Sequence, residues 1–133
     1  MTAPGEFALV LHTHLPWLRG HGVWPVGEEW LFQAWGCSWL PVTRLLEELA
    51  EDGHREILTL VVTPTVAQQV ADPRLASELG TWLGGQMWRA EEQRWHHHLD
   101  ERITGLHSFH WRRFATLLDH HEDIQRRGGL LTV

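Results

Sequence analysis

Two histidines close the first apolar run of the chain. Residues 7–11 are apolar throughout, and His12 and His14 follow them just before Pro16. On an extended strand, residues i and i+2 project to the same side, so we expect the two imidazoles to lie together. A neutral imidazole can exchange hydrogen bonds with sugar hydroxyls, and paired histidines can also hold a metal ion with ligands from later strands. The pair therefore predicts a ligand site, with sugar and metal chemistry both open.

Tryptophan and histidine are the unusual residues of the composition. The chain has 9 Trp, no Tyr and 11 His. Tryptophan offers a flat apolar surface for sugar rings or for a core. Four tryptophans at or near helical spacing predict packing between helices: Trp82, Trp88, Trp95 and Trp111. Consecutive residues of a helix point about 100° apart, so the run at 96–98 does not predict a metal site.

The remaining pattern supplies the elements that must position these residues. Apolar runs predict strands at 6–12 and 56–62, the first of them buried on both faces. Apolar stripes and start signals predict helices from 28, 41, 64, 73 and 105, with a kink or break near Trp39 and Leu40 because Pro41 follows. A further strand is expected to begin at 130–133. This alternation predicts an α/β fold with parallel strands under helical cover, in which ligands bind at the carboxyl ends of the strands.

Length and charge narrow the class of protein. The 133 residues suffice for one domain. A formal charge of −6 without a basic block argues against a nucleic-acid partner. We find no window long and apolar enough to span a membrane and no secretory signal. Cys37 is the single cysteine, which fits a reducing, cytoplasmic location.

Several blocks resemble glycoside hydrolase family 57. They are the stretch from Leu11 to Trp17, the stretch from His21 to Leu31, and later the runs 39–41, 58–64 and 129–132. The chain looks most like the 1,4-α-glucan branching enzyme subgroup of that family.

The resemblance implies a fold, an activity and site residues. It implies the N-terminal portion of an incomplete (β/α)7 barrel and a retaining enzyme of α-glucan and glycogen metabolism, without metal or cofactor. A retaining glycosidase needs two carboxyl groups about 5–5.5 Å apart. Branching enzymes then pass the glycosyl unit to a 6-hydroxyl, making α-1,6 branches. By resemblance, His12 and His14 line the sugar site, and Trp24 and, more weakly, Trp17 form its aromatic walls.

Neither of the family's catalytic carboxylate motifs matches a residue of this chain. We therefore expect residues 1–133 to be a truncated N-terminal segment without catalytic residues of its own. Two other functions stay open. One is a metal-dependent hydrolase of the amidohydrolase type that uses His12 and His14. The other is a non-catalytic protein that binds glucan or a partner. Open strand edges also predict self-association.

Overall fold

The computed structural model describes residues 5–132. The elements are β1 (Val10–Thr13), α1 (Glu28–Ala34), α2 (Leu40–Glu51), β2 (Thr59–Val62), α3 (Pro64–Val70), α4 (Pro73–His96) and α5 (Glu101–Arg126). A π-helical segment, Trp35–Trp39, joins α1 to α2, and a 3₁₀ turn, Leu130–Thr132, follows α5. None of the described helices is long and apolar enough to cross a membrane.

The two described strands are parallel, as the alternation of strands and helices predicted. β1 lies beside β2 with His12 opposite Val61 and Thr13 opposite Val62. Each strand has four residues and is shorter than predicted, with Val10–Thr13 in place of 6–12 and Thr59–Val62 in place of 56–62. Within residues 5–132 no third strand joins this sheet, so each strand leaves one edge unpaired.

The expected burial of the first strand on both faces is wrong for the described residues, and the second strand is exposed as well. Val10 is 56% exposed, and all four residues of β2 are exposed. One face overlies an open cavity of about 270 Å³, lined by side chains that include Leu11, Leu60 and Val66. The helices therefore cover the sheet only loosely and on one side.

The core is formed mainly by helices, and none of its buried members belongs to a strand. Its buried members are Leu18, Leu31, Phe32, Trp35, Leu40, Val66, Val70, Leu75, Ala76, Leu79, Leu83, Leu117 and Ile124. α4 and α5 form an antiparallel hairpin that packs against α1, the π-helical segment and α2. At the crossing, a Cβ on Gly36 would lie 3.1 Å from Trp82 and 3.2 Å from Leu83, so a glycine permits this close approach.

The break expected before Pro41 is replaced by the π-helical segment. Leu40 keeps helical angles, φ −59° and ψ −46°, and its N–H donates to the carbonyl of Trp35 five residues earlier. A proline ring in a helix clashes with the carbonyl four residues before it. The wider π turn relieves this clash, and the chain stays helical from α1 into α2.

The strand expected at 130–133 is also wrong within the described residues. Leu130–Thr132 form a 3₁₀ turn, and Val133 lies outside the described part of the chain. The Thr132 hydroxyl donates to the carbonyl of Gly129 at 2.8 Å, and the Thr132 N–H also bonds there at 3.1 Å. These local bonds satisfy the backbone that a strand partner would otherwise satisfy.

Candidate functional site

His12 and His14 lie together, as their spacing predicted. Their rings are stacked with centroids 6.2 Å apart and planes 11° from parallel. His12 is in β1 and His14 follows one residue after the strand ends, and both side chains are exposed. The Thr13 hydroxyl between them donates to the carbonyl of Val61, which ties this end of β1 to β2. The pair presents two imidazoles to solvent at the carboxyl end of the sheet.

The two predicted tryptophans lie on the loop between β1 and α1, residues 14–27, which we call the site loop. Trp17 is 39% exposed and Trp24 is 77% exposed, so each has free aromatic surface. Within residues 5–132, neither ring stacks on His12 or His14. The structure thus brings the histidines together and leaves the tryptophans as separate exposed surfaces on the same loop.

A buried glutamine holds the first half of this loop. Gln69 of α3 is 0% exposed, and its Oε1 accepts from the N–H groups of Leu18 at 2.7 Å and Arg19 at 3.2 Å. Its Nε2 donates to the carbonyls of Pro16 at 3.1 Å and Thr65 at 3.0 Å. The sequence offers one signal for Gln69, an amide among the apolar positions of a short helix.

An ion pair between a buried carboxylate and a partly exposed arginine holds the second half of this loop. Glu28 is only 8% exposed, and its Oε1 accepts from the Gly20 N–H at 2.8 Å and from the Arg74 guanidinium at 2.6 Å. The hydrogen bond from Arg74 is the main reason that the pKa of the Glu28 carboxyl lies below its usual value. Glu28 does begin a helix, as its sequence position suggests, but its main contact is with another helix.

The N-terminus of α4 adds a third anchor. Asp72 caps α4 by accepting from the Arg74 N–H at 2.9 Å, and its other oxygen pairs with Arg19 at 2.5 Å. The loop is thus fixed from α3, α1 and α4 at once. The loop is held through its backbone groups and the Arg19 side chain, by the Gln69 amide and two carboxylates. These contacts do not use the rings of His14 and Trp17.

The described residues contain no group of three or more His, Cys, Asp or Glu side chains that could together hold a metal ion. In particular, His97 stacks on His107 at 6.1 Å, and the buried His121 donates one hydrogen bond from Nε2 to the carbonyl of Ala76 at 2.9 Å. The geometry of His12 and His14 is that of a surface for hydrogen bonding and stacking. No complete ligand set for an amidohydrolase-type metal is found among residues 5–132.

Comparison with curated proteins finds branching enzymes. A Mycobacterium tuberculosis protein named as a probable 1,4-alpha-glucan branching enzyme is 49% identical over 89 residues, which are 67% of this chain and 17% of that protein. A 1,4-alpha-glucan branching enzyme of Thermococcus kodakarensis is 34% identical over 88 residues, 66% of this chain and 13% of that protein. No protein-family model matches the chain.

Solved structures agree with these relatives. The crystal structure of a GH57-type branching enzyme from Pyrococcus horikoshii has a TM-score of 0.84 and 34% identity, covering 89% of this chain and 22% of that one. The chain is homologous to branching enzymes of glycoside hydrolase family 57 over part of its length. A second family member, the Thermococcus kodakarensis enzyme solved with glucose and additives, has a TM-score of 0.80 and 30% identity, covering 89% of this chain and 21% of that one.

The family resemblance inferred from the sequence is therefore confirmed. The chain spans less than a quarter of the length of each of these relatives. The two parallel strands and their helices agree with the fold of the solved relatives over the matched region.

Proposed function

We propose that this chain forms part of an α-glucan branching enzyme of family 57, and that its two strands belong to an incomplete (β/α)7 barrel. Residues 1–133 would be the N-terminal segment of that catalytic domain, in a cytoplasmic enzyme of glycogen biosynthesis. The match to two solved branching enzymes over 89% of the chain is the observation that carries the proposal.

In this proposal, His12 and His14 bind the hydroxyls of an α-glucan. Their exposed rings lie at the carboxyl end of a parallel strand pair, where α/β enzymes bind their ligands. Each neutral ring has one N–H donor and one nitrogen acceptor, which suits vicinal hydroxyls. Trp24 and Trp17, both exposed on the adjoining loop, supply apolar faces for sugar rings.

We further propose that the two catalytic carboxyl groups lie outside residues 1–133. A retaining mechanism requires a nucleophile and a general acid/base about 5–5.5 Å apart across the scissile bond. Glu28, a carboxylate on the site loop's border, is buried and paired with Arg74, so it has a structural partner in place of a substrate. The chain would then contribute to the glucan cleft without performing the transfer.

Binding by the chain tests the site. We expect maltoheptaose to shift the ring signals of His12 and His14 in NMR spectra of the 133-residue protein. His12→Ala and His14→Ala should each weaken binding up to about tenfold, the effect of losing one or two hydrogen bonds. His54→Ala, which removes another exposed histidine, is the control and should bind as the wild type does. Equal affinity in all three variants would contradict the assignment.

An iodine-stain and debranching assay on amylose tests the chemistry. We expect no new α-1,6 branches from the 133-residue chain and new branches from any longer product of the same locus. Branches made by the short chain would show that a catalytic pair lies within it. Absence of branching by both would favour a non-catalytic glucan-binding role.

A further inference from the structure

The amide of Gln69 is fully used in holding one loop. A glutamine side chain offers two N–H donors and an oxygen with two acceptor positions. Here the oxygen accepts from Leu18 and Arg19, and the nitrogen donates to Pro16 and Thr65. Glutamine is mostly an exposed residue in proteins. A fully buried glutamine whose donor and acceptor positions all have partners therefore indicates a specific structural role.

This role is to fix the backbone of residues 16–19, which connects the exposed His14 and Trp17 to the core. Leu18 is 1% exposed, while His14 is exposed and Trp17 is 39% exposed. The segment therefore turns from solvent into the core within a few residues. Thr65, one turn before Gln69 on α3, also bonds this segment through the carbonyl of Leu15 at 3.4 Å.

The connection to the site passes through the strand that precedes α3. β2 pairs with β1 up to Val62 opposite Thr13, and α3 begins at Pro64. His14 is thus held on one side by the end of the sheet and on the other by the segment that Gln69 binds. Loss of the amide would free the backbone after His14 without touching the His12 side chain.

We propose that Gln69 is a positioning residue for α-glucan binding, which sets where His14 and Trp17 meet the sugar; this inference rests on the proposed function. The Gln69 amide does not contact the glucan. It acts through the backbone of Pro16, Leu18 and Arg19. The affinity of the chain for α-1,4-linked glucan should then depend on Gln69 more strongly than its stability does.

The test compares Gln69→Met with a core variant of equal stability. Methionine keeps the length of the side chain and removes all four hydrogen bonds. Ile124 is 0% exposed, lies in α5 and belongs to the helical core. The control is whichever of Ile124→Val and Ile124→Ala has a measured free energy of unfolding nearer to that of Gln69→Met. We expect Gln69→Met to weaken maltoheptaose binding about tenfold and to move the His14 ring and Trp17 indole signals. The matched Ile124 variant should change neither.

Equal affinities in the two matched variants would overturn the positioning role. If Gln69→Met does not fold, Gln69→Glu serves instead, since it keeps an acceptor for Leu18 and places an oxygen opposite the carbonyl of Pro16. Weakened affinity in that variant supports the inference, and wild-type affinity overturns it.

Failure of the proposed function has a different signature. In that case the wild-type chain does not bind maltoheptaose at all. The hydrogen-exchange rates of the Leu18 and Arg19 amides then decide the positioning role. Selective acceleration in Gln69→Met upholds control of the loop by Gln69, and unchanged rates overturn it.

Discussion

At the scale of single residues, the conformation of the site loop depends on a few residues that cannot be substituted without a steric clash. Gly27 is the clearest case. A Cβ at this position would lie 2.2 Å from the carbonyl oxygen of Gly22, which accepts a hydrogen bond from the Glu28 N–H at 2.8 Å. The loop can close onto the start of α1 only because residue 27 has no side chain.

Gly27→Ala should therefore destabilise the protein by roughly 1–3 kcal/mol, as overpacking does elsewhere. The backbone must move because the clash is with a backbone carbonyl. Gly84→Ala in α4 is the matched control, since a Cβ there meets nothing within 4 Å. That change should stabilise the helix by about 0.5–1 kcal/mol. Urea unfolding of both variants gives the comparison, and equal stabilities would contradict the close approach.

His121 makes stability depend on pH. It is 3% exposed, and burial lowers its pKa below the usual 6.5. The unfolded chain then binds the proton more readily, so stability is full above about pH 6.5 and is lost as the pH falls below it. Burial lowers the pKa of His120 in the same way, although Glu47 opposes the shift.

We expect His121→Leu to reduce the fall in stability between pH 7.5 and pH 5, approximate limits that bracket the titration of an ordinary histidine. The His120 contribution should remain, so the dependence shrinks without vanishing. Thermal melts at several pH values measure it. His98→Leu, on an exposed histidine near the end of α4, is the control and should leave the dependence unchanged. An unchanged dependence in His121→Leu would refute this account.

At the scale of elements, α4 has buried leucines in its first half and two exposed tryptophans in its second half. Leu75, Leu79 and Leu83 are all 0% exposed and pack in the core. Farther along, Trp88 is 66% exposed and Trp95 is 69% exposed. The prediction that four tryptophans pack between helices is wrong for these two, while Trp111 is 39% exposed. It holds for Trp82, whose ring meets Phe114 edge-on at 6.1 Å.

Alanine substitutions should distinguish the buried leucines of α4 from its exposed tryptophans. Trp88→Ala and Trp95→Ala should each change the free energy of unfolding by no more than about 0.5 kcal/mol, because their rings bury little surface. Leu83→Ala should cost about 2–5 kcal/mol, because it leaves a cavity in the core. Chemical denaturation measures all three. A cost above about 2 kcal/mol for either tryptophan would mean that its ring is buried in solution.

At the scale of the whole molecule, the residues of the sheet are largely exposed, whereas the helices pack into a buried core. The described sheet has two strands and two unpaired edges, and Val10, Leu60 and Val61 are all at least 39% exposed. Unpaired edges with apolar side chains are templates for pairing with another chain.

We expect the 133-residue chain to self-associate as its concentration rises. Val10→Lys places a charge on the edge strand β1 and should shift the protein toward the monomer. Thr81→Lys adds the same charge to an exposed position of α4 and should leave association unchanged. Multi-angle light scattering over a range of concentrations gives the masses. A wild-type chain that stays monomeric throughout would contradict the prediction.

Features that depend on local chemistry can be predicted from the sequence. Thr63-Pro64 and Asp72-Pro73 marked the starts of α3 and α4 correctly, because a proline is tolerated in the first turn of a helix. The spacing of His12 and His14 placed both rings on one side of a strand. The motif blocks identified the family, which the comparisons confirmed.

The partners of individual side chains, in contrast, depend on how distant parts of the chain pack together. The apolar run at 6–12 predicted a buried strand, yet burial requires a covering layer, and the described helices bury their apolar side chains mainly against each other. Gln69 and Glu28 look like ordinary polar residues in the sequence. Their roles arise from contacts with residues 51 and 46 positions away, which no local pattern encodes. Local spacing fixes the direction of a side chain, but what it meets is set by the packing of distant elements.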